Sequence, residues 1–225
     1  MPAASPRRSA VISAVLADSL TYLDREALDD LYERVEELER EQRPGIIVET
    51  GCALGGSAIV LASAKRAARP LCVYDVFGMI PPPSARDGAD VHSRYAVIAS
   101  GQSSGINGET YYGYKPDLYG EVTANFARHG LPLDRHSVSL IKGLYADTLH
   151  PEHPVALAHI DCDWYESVTT CLERIVPRLV VGGVLVIDDY HSWSGCKAAV
   201  DHYFATRQPD FEFVDRGRRQ ITRIG

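Results

Sequence analysis

From Pro44-Gly45 onward the chain alternates short apolar runs with longer helix-like stretches, and few folds accept that alternation. Runs at 46–48, 71–74, 137–141, 155–160 and 184–187 have the length of strands. The stretches at 56–68, about 117–129, 165–179 and 194–207 have the length of helices. This is the mark of an α/β domain with a mostly parallel sheet. The closing segment, FEFVD, then Arg216-Gly217, then RRQITRI, predicts an antiparallel hairpin at the sheet edge. Seven strands, mostly parallel and ending in a hairpin, make a Rossmann-like sheet distinct from a doubly wound dinucleotide fold, which would go on repeating its strand–helix unit.

With 225 residues the chain forms one compact domain. Residues 1–43 are expected to be a flexible tail (1–9) and helix (about 10–42), with Leu16, Leu20, Leu23, Leu28, Leu31, Val35 and Leu38 returning every three or four residues. That periodicity runs through the apolar stretch after Arg7-Arg8, which therefore reads as helix rather than as a secretory signal. Residues 44–225 form the main domain, interrupted at about 78–118 by a Gly-, Pro- and Tyr-rich lid loop. The count of 23 basic against 30 acidic residues, net charge -7, disfavours nucleic acid or an anionic membrane as partner and leaves small molecules and other proteins. No apolar run has the length of a membrane span. The N-terminal helix offers a surface for homo-oligomer formation. Five cysteines without a CxxC pair point to free thiols in a reducing compartment, the cytoplasm by default.

Ligands of open α/β sheets bind beyond the carboxyl ends of the strands. There stands VETGCALGGS, from Val48 to Ser57, which lacks the GxGxxG spacing of a dinucleotide cradle. The first strand ends near Glu49 and the second at Asp75. A carboxylate at the second position accepts hydrogen bonds from both ribose hydroxyls, and one beside the turn suits a ligand carrying an ammonium and a sulfonium. Together they point to S-adenosylmethionine. On the alternative reading, the glycines only permit close strand–helix packing and Asp75 caps a turn.

The fourth strand ends in His159-Ile160-Asp161-Cys162-Asp163 and the fifth in Asp188-Asp189. Neighbouring strands lie about 4.8 Å apart, so Asp161, Asp188 and Asp189 can reach one cation. An all-oxygen set suits Mg²⁺, Mn²⁺ or Ca²⁺ and leaves positions open for water and substrate. Asp163 is expected to cap the following helix, and His159 to be a packed or hydrogen-bonded strand residue. His191 is a candidate base.

VETGCALGGS, VYD with PPP after it, KGLYADTLHP, HIDCDWYESV, and GGVLVIDDY followed by GCKAAVDHYF resemble the macrocin O-methyltransferase family over about residues 44–208. The resemblance implies a class I methyltransferase fold and a metal- and S-adenosylmethionine-dependent methylation of sugar hydroxyls on glycosylated natural products. It implies cofactor contacts from Glu49, Gly51, Gly55, Gly56, Ser57, Asp75, Gly143 and Leu144, and metal ligation by Asp161, Asp188 and Asp189. Asp161 would double as the base. The segment 78–118 matches little of the family's pattern and is expected to carry acceptor recognition, with Tyr111, Tyr112, Tyr114 and Tyr119 in or beside it offering aromatic faces. Three alternatives stay open: a metal-dependent catechol or phenol O-methyltransferase, a nicotinamide-dependent reductase, and a non-enzymatic binding module.

Overall fold

The computed structural model describes residues 6–225; the first half of the expected tail lies outside them. In chain order the elements are α1 (Pro6–Ala17), α2 (Arg25–Arg40), β1 (Ile46–Thr50), α3 (Gly56–Ala64), β2 (Leu71–Asp75) and α4 (Ala89–Ala99). Then follow α5 (Leu118–Arg128), β3 (Val138–Lys142), α6 (Tyr145–Thr148), β4 (Val155–Ile160), α7 (Tyr165–Ile175), β5 (Leu179–Ile187), α8 (Ser194–Phe204), β6 (Phe211–Arg216) and β7 (Arg218–Arg223). The sheet has seven strands in the order β3-β2-β1-β4-β5-β7-β6, with β7 antiparallel to both of its neighbours and the other pairs parallel. Every residue of β1 and β4 is buried, which explains runs without apolar–polar alternation: both faces are covered.

One face packs against α1, α2, α3 and α5, through Ile12, Val15, Leu28, Leu31, Val35, Ile59, Leu61 and Phe126. The other packs against α7 and α8, through Val168, Leu172, Ile175, Val200 and Phe204. The apolar stripe of the N-terminal helices is thus covered within the chain.

The helical stretch expected over 10–42 is two helices broken at 18–24. Ser19 has φ +56°, Thr21 Oγ1 accepts from the Leu23 amide at 3.1 Å, and Asp24 caps α2 by accepting from the Ala27 amide at 2.8 Å. The break survives because the Leu20 carbonyl accepts from the Gly56 amide at 3.0 Å, pinning the linker to the start of α3. Helical spacing of the leucines hid it. Residues 6–9, expected in the tail, belong to α1. Helix α7 ends before Pro177, in a 3₁₀ turn over Val176–Arg178, and β5 is longer than its expected apolar core. The pairing of β5 with β4 slips beside Gly182-Gly183. The Arg43 guanidinium occupies the space a Gly182 side chain would fill and donates to the Val181 carbonyl at 2.7 Å.

Between α2 and the sheet, Arg69 is buried and its Nε donates to Glu39 Oε1 at 2.6 Å, while its Nη2 donates to the Arg43 carbonyl at 3.0 Å. Burial alone would raise the Glu39 carboxyl, but hydrogen bonds from Arg69 and Arg66 outweigh it and hold the group below its usual range. A depressed folded-state value stabilises the fold fully above the unfolded pKa of about 4.3 and loses that contribution as pH falls through the folded one. Glu39→Ala leaves the buried guanidinium unpaired, with an expected loss of about 3–5 kcal/mol at pH 7. Urea melts of both proteins should show that gap, and show it narrowing below pH 4.

Candidate active site

The carboxyl ends of β1, β2, β4 and β5 open into one cavity of about 390 Å³. Its floor is the junction of β1 and β4. There the Asp161 amide donates to the Thr50 carbonyl at 2.9 Å, and Gly51, at φ +84°, faces the Asp161 carbonyl so closely that a Cβ would lie 1.8 Å from that oxygen. Glycine is required at this point both by φ and by the close approach.

On one side of the floor Asp75, buried at the end of β2, accepts from the Cys52 amide through Oδ2 at 2.9 Å and from the Phe77 amide through Oδ1 at 2.7 Å. Burial pushes its carboxyl up against the pull of those two amides. Gly51, Cys52, Ala53, Asp75, Leu144, Tyr145 and Ala146 line this end. Gly55, Gly56, Ser57 and Gly143 stand behind it: a Cβ on Gly55 would meet Val122 at 3.0 Å, on Gly56 the Leu20 carbonyl at 2.7 Å, and on Gly143 the Thr148 side chain at 2.6 Å. Close packing, the alternative raised from the sequence, therefore accounts for the second and third glycines of the turn. Glu49 is wholly buried and does not line the cavity. It is the register partner of His159, whose Nδ1 lies 3.0 Å from Glu49 Oε1, and this leaves Glu49 Oε2 and His159 Nε2 buried without partners among the described residues.

On the other side Asp161, Asp163 and Asp189 each offer an oxygen within 4.8 Å of the others. The sequence set was Asp161, Asp188 and Asp189. Asp188 also borders the cavity, but its Oδ1 accepts from Arg218 Nε on β7, which draws it toward the hairpin. Asp163 does not cap α7 as expected. It adopts φ +56°, its amide donates to Asp189 Oδ2 at 3.2 Å, and the cap is supplied by Asp87, which accepts from the Tyr165 amide at 2.8 Å. Burial, and then the neighbouring Asp188, pushes the Asp163 carboxyl up to about 6. Burial and the adjacent carboxylates likewise raise Asp161 and Asp189 well above the ordinary range. His191 is exposed at the end of a 3₁₀ turn, its Nε2 3.0 Å from Asp215, and is not among the lining residues.

The segment expected as a lid loop contains α4, a helix missed because only Val91 and Ile98 of its residues are buried, too few to give a stripe. The segment is stitched to the acidic end. Besides the Asp87 cap, Trp164 Nε1 donates to the Pro81 carbonyl at 3.1 Å, and the Ser194 amide donates to Asp90 at 2.9 Å. Ile80, Pro81, Arg94, Ile98, Tyr111 and Tyr112 line the cavity. Tyr114 instead bonds inside the segment, accepting from the Ser103 amide at 3.2 Å, and Tyr119 packs edge-on to Phe77. Sequence reasoning did not pick out Tyr22, Tyr145, Trp164 or Trp193, which complete the aromatic wall; Tyr145 and Trp164 stand inside KGLYADTLHP and HIDCDWYESV, which could have marked them, whereas Tyr22 and Trp193 lie outside any quoted motif.

A parallel sheet closed by an antiparallel hairpin, with a buried carboxylate ending β2 and acids after β4 and β5 at one cavity, defines a class I methyltransferase. Residues 14–215 match the family model described as Macrocin-O-methyltransferase (TylF), and the chain belongs to that family of S-adenosylmethionine-dependent O-methyltransferases. It is 34% identical over 208 residues to the 8-demethyl-8-(2,3-dimethoxy-alpha-L-rhamnosyl)-tetracenomycin-C 4'-O-methyltransferase of Streptomyces olivaceus, covering 90% of this chain and 73% of that one. It is 31% identical to the demethyldecarbamoylnovobiocin O-methyltransferase of Streptomyces niveus, over 84% of this chain and 69% of that one. Among solved structures, the O-methyltransferase NovP superposes with a TM-score of 0.75 at 27% identity, covering 92% of this chain and 83% of that chain. No helix of the described residues is long and apolar enough to cross a membrane.

Gly51→Ala should force the ends of β1 and β4 apart. The expected result is a folded protein by circular dichroism whose affinity for S-adenosylhomocysteine, measured by calorimetry, is at least about tenfold weaker, because the strain of a Cβ at positive φ falls on the turn itself.

Proposed function

We propose that the protein moves the methyl group of S-adenosylmethionine to a hydroxyl of a sugar, on a glycosylated natural product or a nucleotide sugar, with a divalent ion such as Mg²⁺ or Mn²⁺ at the acidic end of the cavity. The observation that carries this reading is that Asp75 and the Asp161–Asp163–Asp189 group line one cavity. Sugar acceptors are further supported by the relative from Streptomyces olivaceus, whose name specifies a rhamnosyl substrate.

The donor set fits a hard cation. Oxygens on opposite sides of one such ion stand about 4–5 Å apart, and the three carboxylates offer oxygens within 4.8 Å of one another. Asp161 and Asp189 would hold the ion with Asp163 or Asp188 as the third carboxylate, and the ion would acidify and orient a bound hydroxyl. Asp75 holds the ribose hydroxyls, the Gly51–Ala53 turn carries the methionine part, and Leu144, Tyr145 and Ala146 receive the adenine, while Glu49, Gly55, Gly56, Ser57 and Gly143 support these groups from behind. Asp161 takes the acceptor's proton as the methyl carbon leaves sulfur and bonds to oxygen, so the sulfonium becomes a neutral thioether. His191, engaged with Asp215 on the surface, is not needed as base. Tyr111, Tyr112, Trp164 and Trp193 pack on the sugar and keep water from the reacting atoms. The cysteines are all free thiols, which supports a cytoplasmic setting.

Labelled S-adenosylmethionine with rhamnosides, nucleotide sugars and catechols, with and without chelator, tests this. The expected outcome is transfer to sugars that EDTA abolishes and Mg²⁺ restores, and an Asp189→Asn variant slower by more than about 100-fold that still binds S-adenosylhomocysteine. Undiminished turnover in EDTA would refute the metal; preference for catechols would refute the sugar.

A further inference from the structure

The cavity is lined by Asp75, Asp161, Asp163, Asp188, Asp189 and Glu166 and, among the described residues, by one basic side chain, Arg94. Arg94 is half-buried on α4, yet its guanidinium makes no hydrogen bond or ion pair to any described residue, despite the carboxylates across the cavity. Its close neighbour is the Tyr111 ring, whose centroid lies 5.7 Å from Arg94 Cζ. A guanidinium has five N–H donors and no acceptor, and in a half-buried position unused donors cost free energy. Its charge acts on Asp163 from across the cavity, holding that carboxyl below where burial alone would put it, but without the direct bond by which Arg218 pairs with Asp188, so its N–H donors stay available to a ligand.

The position of α4 tells which ligand Arg94 faces. The helix starts at the acidic end, where Asp90 accepts from the Ser194 amide beside Trp193, and its next cavity residue after Arg94 is Ile98. The ribose-type carboxylate Asp75 and the Gly51–Ala53 turn belong to the opposite end. We propose that Arg94 recognises an anionic group on the acceptor, so that the preferred sugar substrate carries a phosphate, diphosphate or carboxylate away from the hydroxyl that is methylated. The inference rests on the sugar methyltransferase reading above and narrows its acceptor. Paired oxygens of such a group match the guanidinium fork, which a lysine ammonium does not.

The test compares wild type, Arg94→Met and Arg94→Lys in the full-length enzyme with Mg²⁺, using a neutral methyl rhamnoside, rhamnose 1-phosphate, a nucleoside-diphosphate rhamnose and a carboxyphenyl rhamnoside. The three acidic acceptors separate phosphate, diphosphate and carboxylate as the source of the charge. Wild type should favour at least one acidic acceptor over the neutral one in kcat/KM. Arg94→Met should lower that ratio about 10- to 100-fold, chiefly through KM, with partial recovery in Arg94→Lys, the size expected for a charge-assisted hydrogen-bond pair. Affinity for S-adenosylhomocysteine should stay within twofold. An unchanged ratio, no acidic preference in the wild type, or a loss of S-adenosylhomocysteine binding in Arg94→Met would each overturn the assignment. If the wild type methylates no sugar, the sugar reading itself fails. Calorimetry with a nucleoside diphosphate, inorganic phosphate and benzoate then decides Arg94: binding of any of them that Arg94→Met abolishes upholds its anion role, and its absence or persistence in the variant refutes it.

Discussion

The site depends on the contact between the ends of β1 and β4, where Thr50 accepts from the Asp161 amide and Gly51 lies against the Asp161 carbonyl. Two central strands, buried on both faces, are rigid platforms. Their adjacency sets the turn that follows β1 against the acidic loop that follows β4, with no room for a side chain between them. Methyl transfer needs donor and acceptor in line and close, and a junction closed to a Cβ fixes that relation more firmly than flexible loops do. Replacing the space with even a methyl group would move both halves at once.

Around this junction the protein distributes charge unevenly. Arg69 and Glu39 satisfy each other where α2 meets the sheet, and Arg218 holds Asp188 at the cavity's edge. Asp161, Asp163 and Asp189 make no direct ion pair with an arginine among the described residues and are left close together, with burial and mutual repulsion raising their carboxyls. A cluster of this kind is costly in an otherwise well-paired structure, and proteins keep such costs where function needs them. The sequence's acidic surplus thus separates into carboxylates paired with arginines, such as Glu39 and Asp188, and one concentrated group at the strand ends.

Much of this was legible in the chain itself. Five short apolar runs and a hairpin ending gave the sheet, because strands covered on both faces must be apolar throughout and a Gly turn between two strand-like segments leaves little choice. Asp75, Asp161 and Asp189 were legible because strand ends in an open α/β sheet all face the same side. Glu49, expected to end the first strand beside the ligand turn, lies within β1 and faces His159 on β4, a register pairing that adjacency in sequence does not reveal. Asp163 escaped for a related reason, since its positive φ turns the side chain back to the cavity instead of onto α7.

Local pattern alone determined the class of fold, the order of its elements and the ends of the strands that carry chemistry, since burial and periodicity act over a few residues at a time. Tertiary structure decided which carboxylates meet. Asp188 and Asp189 are neighbours in sequence, yet one is drawn off by an arginine thirty positions away and the other joins Asp161 and Asp163. It also decided that the segment before α5 is a fastened wall holding α4 and Arg94, because Asp87, Asp90 and Trp164 find their partners only once distant segments have packed. Such pairings join groups far apart in the chain, and no short-range pattern encodes them.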